Sequence, residues 1–187
     1  MMMKMLEAGG VPVLCDSVRN SDSDNPNGYY EFEKVKQTGT DASWLDGASG
    51  YAVKMVYRLV YDLPVGRNYR VILMRRNVRE ILASQRKMLD NLQETSAVTD
   101  DRMAQLFDQE IAAFRHWLRA AAHIESVEVH YRDVLSGSDV PLCSVNRLLN
   151  GRLNIPAMAT VVDPSLYRNR SATPAIDSVT PAGVRVA

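Results

Sequence analysis

The clearest pattern along the chain is a short apolar run followed by apolar residues at helical spacing. Residues 69–74 (Tyr-Arg-Val-Ile-Leu-Met) predict a buried strand, and residues 78–92 predict an amphipathic helix. A second long helix is predicted over residues 100–122, followed by a strand over residues 126–130. Strands that alternate with helices indicate an α/β fold, in which a central parallel sheet has helices on both faces in three layers.

The remaining predicted elements are shorter. They are a helix over residues 1–8, strands over 11–14 and 50–53, short helices over 29–36 and 42–45, and a helix over 140–150. Residues 171–187 contain mostly Ser, Thr, Pro, Ala and Gly with few apolar anchors, which predicts a mobile tail. We therefore expect one α/β domain over residues 1–170.

Composition argues against several classes of protein. The 187 residues include 22 basic and 22 acidic side chains, whereas a general nucleic-acid binder usually carries a basic excess. No apolar run reaches the roughly 18 residues of a membrane span, and Glu7 interrupts the only place for a signal-peptide core. Cys15 and Cys143 belong to no metal-binding spacing. These features predict a cytoplasmic protein with no nucleic-acid or membrane partner and no metal.

The most informative residues for function follow the strand at 69–74. Arg76 lies at the end of that strand, and Ser84 lies eight residues later, about two turns into the next helix. A guanidinium and a hydroxyl so placed can both reach one phosphate, which Arg contacts with two parallel N–H groups. Alternatively, Arg75, Arg76 and Arg79 form a solvated helix start and Ser84 is a small surface residue. Basic residues at a helix N-terminus oppose its dipole, which disfavours a purely structural role.

A strand, then Arg76-Asn77, then a helix that carries Ser84 resembles the 3′-phosphate-binding segment of sulfotransferases. These enzymes use 3′-phosphoadenosine 5′-phosphosulfate (PAPS) as the sulfuryl donor. Most of residues 1–170 resembles bacterial members of the P-loop sulfotransferase superfamily. The resemblance implies that Arg76 and Ser84 hold the 3′-phosphate of the nucleotide, and that the reaction needs no metal.

Three further segments extend this resemblance. Ala52-Val53-Lys54 resembles the strand whose lysine faces the sulfuryl group, which implies a catalytic role for Lys54. Residues 129–135 resemble a strand ending in Tyr-Glu-Asp, which implies that Tyr131 reaches the adenine. Residues 166–170 resemble a late basic segment that closes over the 3′-phosphate, which implies roles for Arg168 and Arg170. For Lys54, a strand-end lysine whose amine simply reaches water is an equally good interpretation.

The chain also departs from the family pattern at two places. Residues 1–10 resemble the helix that follows the family's phosphosulfate loop, so we expect that loop and the family's first strand to be missing. Val56 occupies the position of the family's general-base histidine. We therefore expect weak activity from the chain as given.

The resemblance implies transfer of a sulfuryl group from PAPS to a hydroxyl or amine of a small acceptor. One alternative is a catalytically inactive, sulfotransferase-like remnant that serves as a nucleotide-binding module. Another is a kinase-like enzyme of the P-loop superfamily acting on a small metabolite. That enzyme would need a Gly-x-x-x-x-Gly-Lys-Ser/Thr loop, which the sequence lacks.

Overall fold

The computed structural model describes residues 1–16, 28–83, 99–166, 177–179 and 182–186, and all structural statements refer to these. Its strands are β1 (Val13–Leu14), β2 (Ala52–Met55), β3 (Tyr69–Asn77), β4 (Ile124–His130), β5 (Asp177–Val179) and β6 (Ala182–Val186). Its α-helices are α1 (Met2–Ala8), α2 (described over 78–83), α3 (Asp100–Ala120), α4 (Tyr131–Leu135), α5 (Asp139–Leu148) and α6 (Ile155–Thr160). Short 3₁₀ helices cover Glu33–Gln37, Ser43–Gly47, Tyr57–Asp62 and Pro164–Leu166.

All six strands belong to one mixed sheet, in the order β1-β2-β6-β3-β4, with β5 against the end of β3. The pairs β1–β2 and β3–β4 are parallel. Strand β6 is antiparallel to both of its neighbours, β2 and β3, so these two strands run in the same direction. The predicted α/β class is therefore confirmed, whereas the expectation of an all-parallel sheet is wrong at its centre.

The C-terminal segment differs most from the sequence-based expectation. Instead of a mobile tail throughout 171–187, the structure has β5 and β6, and Val184 lies in register with both Val53 and Val71. The edges of β2 and β3 carry backbone N–H and C=O groups that need partners, and β6 supplies them. Amino-acid composition cannot predict this pairing, because every residue except proline carries the backbone N–H and C=O groups that it requires.

Side chains alternate along β3, so this strand presents apolar residues on both faces of the sheet, and helices pack against each face. On one face, Val71 and Leu73 pack against α3 through Ile111, Phe114 and Leu118. On the other, Ile72 and Met74 share a core with α1, α4, α5 and α6. We call these the α3 face and the α1 face.

Most predicted elements are present with shifted ends. Strand β3 continues to Asn77, three residues past its predicted end, because residues 75–77 pair with β5. Helix α3 ends at Ala120, two residues before its predicted end. Helices α4 and α6 were not predicted, since five and six residues are too few to display a helical period.

Replacing Val184 with proline tests the central position of β6. Proline cannot donate to the ladder, so one neighbouring acceptor loses its partner at a cost on the order of 1–3 kcal/mol. Val184→Thr keeps the N–H group and the β-branched shape, and we expect a smaller loss. Urea unfolding measures both variants, and equal losses would contradict the pairing of β6 with β2 and β3.

Replacing Phe114 with alanine tests the core of the α3 face. Phe114 is fully buried against the rings of Tyr57, Tyr61 and Trp117. The cavity should lower the free energy of unfolding by about 3–5 kcal/mol. Leu106→Ala, at an exposed site on the same helix, should change it by less than about 1 kcal/mol. Similar losses in the two variants would contradict the assignment of Phe114 to this core.

Candidate functional site

Two of the residues singled out in the sequence meet where β3 and β4 end. These strands are parallel, and the last pair in register is Arg75 with His130, so Arg76 and Tyr131 follow at adjacent strand ends. The guanidinium carbon of Arg76 lies 5.1 Å from the centroid of the Tyr131 ring, a cation–π distance. In open α/β sheets, ligands bind beyond the carboxyl ends of strands, where this pair is found.

A buried carboxylate joins Arg76 to a second arginine. Glu80, on α2, is only 2% exposed. Its Oε1 accepts a hydrogen bond of 2.7 Å from Nη2 of Arg132, and its Oε2 lies 3.5 Å from Nε of Arg76. Pairing makes burial of this charge tolerable, because an isolated ionised carboxylate would pay a large desolvation penalty. Two arginines share one carboxylate, which leaves a formal charge of +1 among the three side chains.

The opposite face of β3 carries a similar arrangement. Consecutive strand residues point to opposite faces, so Arg75 lies on the α3 face. Its Nη1 is 3.4 Å from Oε2 of Glu128, whose Oε1 lies 2.6 Å from Nε of Arg115 on α3. On each face of the sheet, two arginines near the end of β3 therefore approach one carboxylate.

Asn77 explains why the chain turns into α2 at this point. It is 1% exposed, and its side-chain oxygen accepts a 2.9 Å hydrogen bond from the backbone N–H of Arg79. This is the usual N-cap contact, which satisfies one of the N–H groups left unpaired at a helix start. The cap begins α2 at residue 78, directly after the end of β3, and the first turn of this helix carries Glu80 back toward Arg76.

Lys54 lies on the same face as Arg76 but at a distance from it. Gly183 of β6 pairs with both Lys54 and Ile72, so these two residues lie at the same height in the sheet. Ile72 precedes Arg76 by four residues, so Lys54 and Arg76 are separated by roughly 13 Å along the strand direction. The amine of Lys54 donates a 2.9 Å hydrogen bond to the carbonyl of Tyr29 and is 3.6 Å from Glu31. The Lys54 amine is thus bound by residues of the preceding loop, and is not simply extended into water.

The Met1 amino group lies close enough to Lys54 to be affected by its charge. Burial lowers the pKa of the Met1 amino group, and the charges of Lys54 and Lys4 lower it further. Val56, the residue that stands where the family has histidine, is half exposed and offers no group that could accept a proton.

The other predicted site residues are not among those that the structure describes. Ser84, Arg168 and Arg170 all lie outside the described residues. Conversely, sequence analysis missed Glu80 and Arg132. Glu80 gave no local signal, because Arg76 lies on a strand and the four-residue spacing of a helix face does not apply to the pair. Arg132 stands where the family that the sequence resembles has Glu.

A separate groove of about 320 Å³ lies on the α3 face. It is lined by Tyr57, Arg58, Tyr61, Glu110 and Ala113. Arg58 and the hydroxyl of Tyr57 both donate hydrogen bonds to Glu110. Both bonds lower the pKa of the Glu110 carboxyl, and the bond from Arg58 has the larger effect. Burial, and then the hydrogen bond to Glu110, raise the pKa of Tyr57. The polar groups of this groove are therefore largely engaged with one another.

No protein-family model, curated protein or solved structure matches this chain. Among the described residues, no cluster of His, Cys, Asp and Glu is suited to a metal ion, and no helix is long and apolar enough to cross a membrane. Cys15 and Cys143 form no disulfide and are exposed.

Replacing Glu80 with alanine tests the energetic role of this carboxylate. Two partly buried guanidiniums would lose their shared partner, and we expect unfolding to require about 1–3 kcal/mol less. Glu125→Ala, at an exposed position of β4, should cost less than about 1 kcal/mol. Urea unfolding at moderate ionic strength compares the two, because urea is uncharged and does not screen the ion pairs. A loss at Glu80 no larger than that at Glu125 would mean that the pairs contribute nothing.

Proposed function

We propose that this protein is a sulfotransferase-type α/β protein that binds a phosphorylated adenosine nucleotide at the ends of β3 and β4. The observation that carries the proposal is the contact between Arg76 and Tyr131, with Arg132 held nearby by Glu80. This position combines cationic groups, which bind phosphate, with an aromatic ring, which packs against a base. The proposal includes the finer architecture, a three-layer sandwich of the P-loop sulfotransferase type.

Phosphate recognition is the best-supported part of the proposal. Arg76 is 80% removed from solvent, so its hydrogen bonds to a phosphate would form where water competes weakly. The proposal adds Ser84, Arg168 and Arg170 as further phosphate ligands, as in the family that the sequence resembles. Tyr131 would contact the adenine through its aromatic ring.

Sulfuryl transfer is the further step of the proposal. A nucleotide with anionic groups at both ends of its ribose suits a site with Arg76 at one end and Lys54 on the same face at the other. Lys54 would stabilise charge on the transferring sulfuryl group of PAPS, while a hydroxyl or amine of a small acceptor attacks it. We place this reaction, without a metal, in the cytoplasm of a bacterium, with neither nucleic acid nor membrane as partner.

A nucleotide-binding module without catalysis is the second candidate function. Two observations favour it: the Lys54 amine is bonded to Tyr29 and faces Glu31, and Val56 cannot act as a general base. Sulfuryl transfer would require Lys54 to leave these partners and would proceed without proton removal at position 56. Either function requires the same nucleotide site, so binding and turnover must be measured separately.

Calorimetric titration with 3′-phosphoadenosine 5′-phosphate tests the nucleotide site. We expect Arg76→Ala to weaken binding about 10- to 100-fold, because a charge-assisted hydrogen bond is lost from a partly buried site. Arg119→Ala, at an exposed position near the end of α3, removes the same charge elsewhere and should leave affinity unchanged. Equal affinities for wild type and Arg76→Ala would refute the site.

Transfer of labelled sulfate from PAPS to a panel of phenols, alcohols and amines distinguishes the two candidate functions. We expect slow turnover that Lys54→Met reduces at least tenfold, with little change in nucleotide affinity, because the lysine charge acts on the sulfuryl group. Lys34→Met, which changes an exposed lysine, is the control. Nucleotide binding without any transfer would favour the non-catalytic module.

A further inference from the structure

We propose that Arg132 is a second phosphate-binding residue of this site, and that Glu80 is the positioning residue that lets Arg76 and Arg132 act on one phosphate. This inference rests on the proposed nucleotide site. The family segment that residues 129–135 resemble has glutamate where this chain has Arg132. The assignment therefore comes from the contacts of this chain and not from the resemblance.

The two guanidiniums are neighbours because they share one carboxylate. Arg132 contacts Oε1 of Glu80 at 2.7 Å, and Arg76 approaches Oε2 at 3.5 Å. They come from separate elements, the end of β3 and the start of α4, which meet because β3 and β4 are parallel neighbours. A phosphate that contacts Arg76 beside Tyr131 would therefore lie within reach of Arg132.

The exposed fractions of the three side chains differ in the way expected if the arginines bind the ligand and Glu80 holds them in place. The Glu80 side chain is 1% exposed, Arg76 20% and Arg132 37%. The carboxylate thus lies beneath the two guanidiniums, which face outward at the strand ends where a ligand would approach. A group this deeply buried cannot contact a phosphate itself, but it can hold the groups that do.

Two guanidiniums suit a phosphate monoester better than one. The ester carries nearly two negative charges at neutral pH. Arg76 and Arg132 can each approach a different phosphate oxygen and donate parallel N–H groups to it.

Glu80 opposes ligand charge, so its expected effect depends on which role dominates. If only net charge mattered, Glu80→Gln would bind a phosphate more tightly, because a competing negative charge is removed. If Glu80 holds the two arginines in place, the same change would weaken binding, because like-charged guanidiniums separate when the shared carboxylate is gone. The sign of this change therefore separates positioning from simple electrostatics.

The test measures affinities for 3′-phosphoadenosine 5′-phosphate and for adenosine 5′-phosphate, which lacks the 3′-phosphate, by calorimetry. We expect Arg132→Ala to weaken binding of 3′-phosphoadenosine 5′-phosphate about 10- to 100-fold. Its affinity for adenosine 5′-phosphate should stay within about twofold of wild type. Arg132→Lys keeps the charge but loses the planar guanidinium, so its affinity should lie between those of wild type and Arg132→Ala. Arg119→Ala is the matched control. Glu80→Gln should weaken the first nucleotide despite the added net charge, and combining it with Arg132→Ala should add little.

Circular dichroism at the assay temperature establishes that each variant is folded. If Glu80→Gln fails to fold, the two Arg132 variants decide, since that side chain is partly exposed. Unchanged affinity in Arg132→Ala, with a loss in Arg76→Ala, would overturn the inference while the proposed function stands. Tighter binding by Glu80→Gln would overturn the positioning role. Failure of the wild type to bind either nucleotide would refute the proposed function and this inference together.

Discussion

Backbone pairing on both edges of β3 is the constraint on which the rest of this structure depends. One edge binds the parallel strand β4, and the other binds β6 and then β5, both antiparallel. A nine-residue strand so rich in Val, Ile and Leu is buried on both faces, where unpaired N–H and C=O groups would be costly. Its pairing also orders the sheet, because β2 reaches β3 only through β6.

That pairing positions the candidate site. Because β3 and β4 run in parallel and in register, their ends bring Arg76 beside Tyr131 and the first turn of α4. The cap at Asn77 then starts α2 at once, which returns Glu80 to the same place. Because side chains alternate along a strand, Arg75 lies on the other face, where Glu128 pairs with both Arg75 and Arg115. The cations of this strand end are thus divided between two faces rather than gathered in one patch.

Local periodicity located the strand end that carries Arg76, whereas Tyr131 became a candidate only through the resemblance of residues 129–135 to a family segment. Sequence reasoning missed Glu80 and Arg132, since their importance comes from a contact between residues 52 positions apart. For Lys54 the sequence left two interpretations open, a catalytic amine and an amine extended into water, and neither included its hydrogen bond to the carbonyl of Tyr29. A loop that folds back over a strand leaves no periodic signal.

The sequence by itself determined the α/β class, the long elements α3 and β3, and the position of Arg76 at the end of a strand. These follow from local patterns, because helix and strand periods are set by the backbone and appear within a few residues. Only the tertiary structure decided that β6 lies antiparallel between β2 and β3, and that one buried carboxylate holds two arginines. Strand partners and shared ion pairs join residues that are far apart in the chain. Many such pairings satisfy the same local pattern, and only the packed fold selects one.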